Sequence, residues 1–338
     1  MDIRKLVKPN VRTLKAYKAE EIACKVKLDA NESPYGFTVL KNVKTNKYPD
    51  PEARDLRKLV AKDLRVKPEN ILHGNGSDEL IYNLIATFGG PVLYPTPSFT
   101  MYGIIAQALG EKHAGITLDA KFDLNMRDMR TALKKIKPKL IFLSSPNNPT
   151  GNSFSADRMT QIMKQFRGLV IVDEAYQQFS SRKSFITLLK KNTHLVVLRT
   201  LSKVGLAGLR TGFMVANQDI IQEVNKVRLP FNVNALSQKV AIDSLKNKTK
   251  LRSNIRSIIS ERKRLFAELK KLEGIRPYPS DANFILFQVR DGDRVFRDLL
   301  KEGVLIRNMK GVADGFLRVT VGTPGENNFF IKKLKQVL

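Results

Sequence analysis

Short apolar runs that stop abruptly at polar or glycine residues recur through the middle of the chain. Ile71-Leu72 runs into His73-Gly-Asn-Gly-Ser-Asp-Glu79, and residues 140–143 run into Ser144-Ser-Pro-Asn-Asn-Pro-Thr-Gly151. Residues 169–172 run into Asp173-Glu-Ala-Tyr176, and residues 194–199 into Thr200-Leu-Ser-Lys203. Brief, β-rich runs of this kind read as buried strands of a parallel sheet. Helical patterns, residues 80–88 among them, alternate with the strands over residues 70–217. That alternation predicts a mostly parallel sheet with helices on both faces. Ligands of open α/β sheets sit outside the carboxyl ends of the strands, so the four polar tails should share one crevice.

The two ends of the chain read differently. Pro and Gly within Asn31-Glu-Ser-Pro-Tyr-Gly36 and Lys47-Tyr-Pro-Asp-Pro51 predict an extended arm over residues 9–50, followed by a helix over 52–64. After Pro230 a long helical pattern covers residues 235–272, with Lys and Arg on its polar side, and is expected to bridge two lobes. Strand patterns at 283–289, 304–307 and 316–321 surround a helical one at 294–302, which suggests a small α+β lobe completed by the amino-terminal arm. The expected division is an arm at 1–46, a large domain at 47–234, and a linking helix with the small domain at 235–338.

Composition narrows the class without naming a chemistry. At 338 residues and 42% hydrophobic content the chain can bury a sizeable core. It has no apolar run long enough to span a bilayer, and its first residues lack the apolar stretch of a signal peptide. The single cysteine, Cys24, excludes an intramolecular disulfide, so a cytoplasmic, reducing setting and no membrane partner are expected. A formal net charge of +27 raises nucleic-acid binding as a different class of function. The charges are spread along the chain, however, with no basic tail, metal-ligand spacing or aromatic RNA-binding signature. They read as a surface bias with incidental attraction for polyanions, and no specific nucleic acid or metal is expected.

The candidate chemistry lies in the polar tails. Gly74-Asn-Gly-Ser-Asp-Glu79 places a tight turn before a helix amino terminus, whose free N–H groups suit an anion; a simple turn capped by Ser77 or Asp78 is the alternative. Asp173 ends a strand buried on both faces and therefore needs a cation or hydrogen bonds, unless it only caps the next helix. Two prolines and a glycine fix the loop that presents Asn147 and Asn148. Thr200, Ser202 and Arg210 surround Lys203 in sequence and suit a phosphate. A phosphate, a protonated ring nitrogen and a lysine amine are the three handles of pyridoxal phosphate.

Asn148-Pro-Thr-Gly151, Asp173-Glu-Ala-Tyr176, Thr200-Leu-Ser-Lys203 and Gly208-Leu-Arg210 resemble the signature set of the fold-type I, class II aminotransferases. The chain is similar in particular to the histidinol-phosphate aminotransferase family. That likeness rests on Leu28-Asp-Ala-Asn-Glu-Ser-Pro-Tyr-Gly36, Lys47-Tyr-Pro-Asp50, Gly76-Ser-Asp-Glu79 and the loop 145–151, with Lys226-Val-Arg-Leu-Pro-Phe-Asn-Val-Asn234 and Leu317-Arg-Val-Thr-Val-Gly322. The resemblance implies an α/β fold whose large domain, 47–234, binds pyridoxal 5'-phosphate. It implies that Lys203 carries the cofactor as a Schiff base and then moves the substrate proton. Asp173 would hold the pyridine nitrogen protonated, and Tyr176 and Asn148 would hydrogen-bond the phenolic oxygen. Phe99 would stack on the ring, with Tyr102 as the fallback. Backbone N–H groups of Ser77 and Asp78 and the side chains of Thr200, Ser202 and Arg210 would take the phosphate.

For substrates, the resemblance implies histidinol phosphate and 2-oxoglutarate exchanging with imidazole-acetol phosphate and glutamate, in histidine biosynthesis. Arg318 would bind carboxylate or phosphate, and Arg307, Tyr17 and Tyr48 would complete the anion pocket, with Asn283 lining the same cleft. Tyr48 would act across the interface of a homodimer. Aromatic amino-acid aminotransferases and threonine-phosphate decarboxylases share the cofactor residues; the stretch 7–17 favours the histidinol-phosphate branch. Seven positions separate Lys203 from Arg210, one fewer than in many relatives, which leaves the path of residues 204–208 for the structure to decide.

Overall fold

A computed structural model describes residues 24–29, 31–35 and 48–338. In chain order its first elements are β1 (Val26–Lys27), α1 (Arg54–Leu64), β2 (Ile71–Asn75), α2 (Gly76–Phe88), β3 (Val92–Thr96), α3 (Met101–Ala108) and β4 (His113–Thr117). They continue with α4 (Met126–Ile136), β5 (Leu140–Ser144), α5 (Ala156–Gln165), β6 (Leu169–Asp173), β7 (Leu195–Thr200), β8 (Thr211–Ala216) and α6 (Gln218–Asn225). Strands β2 to β8 form one sheet in the order β2-β8-β7-β6-β5-β3-β4. The inner strands match the apolar runs of the sequence: β5, β6 and β7 are almost wholly buried, as strands covered on both faces must be.

Side chains alternate between two cores. Ile141, Leu143, Val170 and Val172 face one core with Met129 of α4 and Ile162 of α5. Phe142, Ile171, Val196 and Leu198 face the other with Leu80 of α2, Tyr102 of α3 and Ile220 of α6. Each fully buried Leu, Ile or Phe contributes about 1.5–3 kcal/mol over its exposed state, so both faces hold the sheet rigid beneath the strand ends.

One strand reversal and one departure from the sequence pattern have local causes. Strand β8 is the reversed one: it runs antiparallel to both its neighbours, β7 and β2, so the strand at residues 71–72 points the same way as β5, β6 and β7, as its place in a mostly parallel sheet requires. The segment joining β7 to β8 is too short for a parallel crossover, which takes a dozen or more residues. The helical pattern over 235–272 is two helices, α7 (Ala235–Lys246) and α8 (Lys248–Lys270). Asn247 divides them: its backbone closes the first helix, while its side chain accepts a hydrogen bond from Lys250 N and caps the second.

The remaining elements are β9 (Arg276–Pro277), β10 (Phe284–Gln288), α9 (Gly292–Lys301), β11 (Val304–Leu305), β12 (Arg307–Asn308), β13 (Phe316–Thr320) and α10 (Pro324–Val337). Four of these strands form an antiparallel sheet in the order β12-β13-β10-β9, and β1 pairs in parallel with β11. The architecture is α/β, a mostly parallel sheet between helices joined to a small α+β unit. No helix among the described residues is long and apolar enough to cross a membrane.

Candidate active site

The carboxyl ends of β5, β6 and β7 open into a cavity of about 460 Å³, closed from the other side by the small sheet. Ser77, Asp78, Phe99, Asn148, Asp173, Tyr176, Thr200, Ser202, Lys203, Arg210, Arg307 and Arg318 all line it. Twelve positions singled out in the sequence thus meet in one place. Tyr48 stands apart, 82% exposed and stacked on Phe231 at 4.6 Å. Tyr17 lies outside the described residues. Asn283 is fully buried behind the cavity and donates to Asn31 O at 3.0 Å.

Asp173 sits at the last position of β6 and is buried. The Tyr102 hydroxyl donates to its Oδ2 at 2.7 Å, and the Ala175 N–H to its Oδ1 at 3.1 Å. Burial outweighs both bonds and pushes the carboxyl up from 3.8 to about 6. A cation opposite it would reverse that push. Tyr102 is therefore a support beneath Asp173 rather than an aromatic cover for a ligand. It stacks on Phe142 at 4.8 Å and meets Phe99 edge-on, and it is Phe99 that reaches the cavity.

Lys203 stands in a 3₁₀ turn, Ser202–Val204, directly after β7, with its Nζ 5.9 Å from the centre of the Tyr176 ring. The short loop then turns at Gly205 (φ 98°), forms a second 3₁₀ turn at Ala207–Leu209, and reaches Arg210 in a left-handed conformation (φ 48°). This path brings the Arg210 guanidinium to Asp78 at 2.9 Å, beside the first turn of α2. Both side chains are about half exposed, so the pair is weak and an entering anion can displace it.

Two glycines make the cup at this helix terminus possible. A Cβ on Gly76 would lie 2.8 Å from Arg210 Nη2, and one on Gly212 would lie 2.7 Å from the backbone of Gly76 and Ser77. Thr200 Oγ1 donates to Ser202 Oγ at 2.9 Å on the same rim. Hydroxyls, a guanidinium and free helix N–H groups suit a phosphate. With the buried carboxylate and the Phe99 ring, they fit pyridoxal phosphate.

The small sheet supplies the other wall. Arg318 on β13 donates to Asp29 O at 2.9 Å and to Asn148 Oδ1, and its guanidinium lies 5.1 Å from the Phe284 ring centre. Arg307 on β12 is its register partner and is exposed. Like charges directly opposite on neighbouring strands are unfavourable alone and favour an anion between them.

Three contacts at the site are not legible in the sequence. Tyr102 supports Asp173. Glu174, fully buried, pairs with Arg199 at 2.8 Å and accepts from Ser184 Oγ and Phe185 N, tying the end of β6 to β7. Asn31 donates to the Tyr176 hydroxyl at 3.1 Å; it stands in the motif at 28–36, but nothing in that motif names its partner.

The family model for aminotransferases of class I and II matches residues 16–334. The chain belongs to that aminotransferase family. It is 38% identical over 351 aligned positions to the histidinol-phosphate aminotransferase of Caldanaerobacter subterraneus subsp. tengcongensis, covering 99% of both chains. Against the histidinol-phosphate aminotransferase of Aquifex aeolicus it is 41% identical, covering 98% of each. Among solved structures, the histidinol-phosphate aminotransferase of Clostridium acetobutylicum superposes with a TM-score of 0.84 at 26% identity, over 92% of this chain and 98% of that one. These aminotransferases share the fold-type I architecture described above.

Proposed function

We propose that the protein is a pyridoxal 5'-phosphate-dependent aminotransferase that converts histidinol phosphate and 2-oxoglutarate to imidazole-acetol phosphate and glutamate, in histidine biosynthesis. The observation that carries this reading is the near-full-length agreement with histidinol-phosphate aminotransferases at 38% and 41% identity. The pocket, with its anion cup, buried carboxylate and facing arginines, supports it.

When bound, pyridoxal phosphate supplies an electron sink for the negative charge that develops at the substrate Cα. The rest is done by the chain. Ser77 and Asp78 N–H groups, Thr200, Ser202 and Arg210 grip the phosphate, and Phe99 covers the ring face. Asp173, oriented by Tyr102 and Ala175, keeps the ring nitrogen protonated. Tyr176 and Asn148 hold the phenolic oxygen. Lys203 Nζ takes the proton from Cα, a task closed to arginine, which stays protonated at every working pH.

Arg318 takes the carboxylate of glutamate, and Arg307, Tyr17 and Tyr48 of the partner subunit complete the anion pocket. On this reading the protein is a cytoplasmic homodimer. Its arm at 1–46 and the segment 235–338 build the small domain against the cofactor-binding domain at 47–234.

The test is direct. Purified protein should carry a visible chromophore that borohydride fixes to Lys203, and Lys203→Ala should lose both. Turnover with imidazole-acetol phosphate should exceed that with phenylpyruvate or threonine phosphate. Absence of the chromophore, or preference for either competitor, would overturn the assignment.

A further inference from the structure

Asn31 is 2% exposed and left-handed, with φ 55°. All of its polar groups are engaged. Its N–H donates to Thr320 Oγ1 at 2.9 Å, and its carbonyl oxygen accepts from Asn283 Nδ2 at 3.0 Å. Its side chain accepts from Thr320 Oγ1 at 3.1 Å and donates to the Tyr176 hydroxyl at 3.1 Å. The Thr320 oxygen already accepts the backbone N–H, so its single hydrogen goes to Asn31 Oδ1. That orients the amide, leaving Nδ2 as the group that meets Tyr176.

A phenolic hydroxyl has one hydrogen to give. With Asn31 donating to the oxygen, that hydrogen must be given in another direction, and the cavity is the space that Tyr176 lines. Edge-on contact with Phe284 at 5.1 Å holds the ring in place. We propose that Asn31, clamped to the small sheet by Thr320 and Asn283, is a positioning residue that makes the Tyr176 hydroxyl a donor toward the ligand in the cavity. The inference rests on the pyridoxal phosphate reading and deepens it: the donor direction at the phenolic oxygen is set from the opposite lobe, by a cavity-lining residue that acts through the Tyr176 hydroxyl.

The test is a double-mutant cycle on the full chain, read out as the dissociation constant of pyridoxal phosphate from cofactor-free protein. Asn31→Gly keeps the left-handed backbone and its two backbone hydrogen bonds while removing the amide. It should weaken binding about five- to tenfold, the worth of about one ordinary hydrogen bond. Tyr176→Phe should weaken binding equally, and the double variant no further. Asn31→Asp keeps size and conformation but turns the donor into an acceptor that captures the Tyr176 hydrogen, and it should bind at least as weakly as Asn31→Gly. The pH at which the bound cofactor's visible absorption titrates should move up in Asn31→Gly and Tyr176→Phe together, because each removes a donor from the oxygen.

Full additivity of the two single effects would overturn the proposal, as would wild-type affinity in Asn31→Asp. Should Asn31→Gly fail to fold, Asn31→Asp decides alone. Wild-type protein that binds no pyridoxal phosphate would instead overturn the functional reading on which the inference rests.

Discussion

Replacing Asp173 with asparagine separates what the buried carboxylate costs the fold from what it does in the pocket. Burial carries its pKa from 3.8 to about 6 in spite of the bonds from Tyr102 and Ala175. A carboxyl whose pKa rises on folding adds stability in its protonated form, fully present below its unfolded pKa and lost as pH climbs through the folded one. A shift of about 2 units at about 1.4 kcal/mol each is worth about 3 kcal/mol.

Asparagine in this place keeps Oδ1 for the Ala175 N–H and can donate Nδ2 to the Tyr102 oxygen, which as a hydroxyl also accepts. It carries no proton that titrates. In cofactor-free protein, the stability of Asp173→Asn relative to wild type should therefore rise by about 2–3 kcal/mol from about pH 4 to about pH 8. Urea unfolding followed by circular dichroism at those two pH values measures the gap. The same variant should bind pyridoxal phosphate more weakly and lose turnover, since the ring nitrogen loses its counter-charge. A stability gap that does not change with pH would refute the burial argument.

Three other perturbations probe the scaffold. Gly212→Ala drives a Cβ to within 2.7 Å of the Gly76 and Ser77 backbone, so overpacking of about 1–3 kcal/mol should open the phosphate cup and lower pyridoxal phosphate affinity at least tenfold, measured by equilibrium dialysis. Glu174→Gln leaves the half-buried Arg199 beside a neutral partner and should destabilise the protein by about 1–3 kcal/mol in urea unfolding. His73 is pushed from 6.5 to about 3 by burial and by Arg228 and Arg57, so its contribution is present above its unfolded pKa and lost as pH falls toward 3. His73→Gln should flatten that acid-side loss, and an unchanged acid limb in thermal unfolding would count against the assignment.

What is legible in the sequence of this protein sorts by the range of the interaction. The strand ends at Ser144, Asp173 and Thr200 were legible because a buried strand and its polar tail are contiguous. Lys203 and Gly76 were legible for the same reason, whereas Gly212 was not, because it meets the cup from a separate strand. The helix break at Asn247 was missed although it is local, because one polar residue does not interrupt an apolar period of 3.6. The pairing of β2 with β8 was not legible, because it joins strands that lie far apart along the chain.

The sequence alone therefore determined the chemistry on offer: a lysine, a carboxylate, an anion cup and two arginines, each identified by neighbours within a few positions. Tertiary structure alone decided how those groups are held. Tyr102 meets Asp173 across 71 residues, Asn31 meets Tyr176 across 145, and Thr320 holds Asn31 across 289. Periodicity and motif spacing are written over one or two turns of chain. A hydrogen bond between distant residues exists only once the sheet has closed and water has been excluded from both partners, and so it leaves no pattern in the sequence around either.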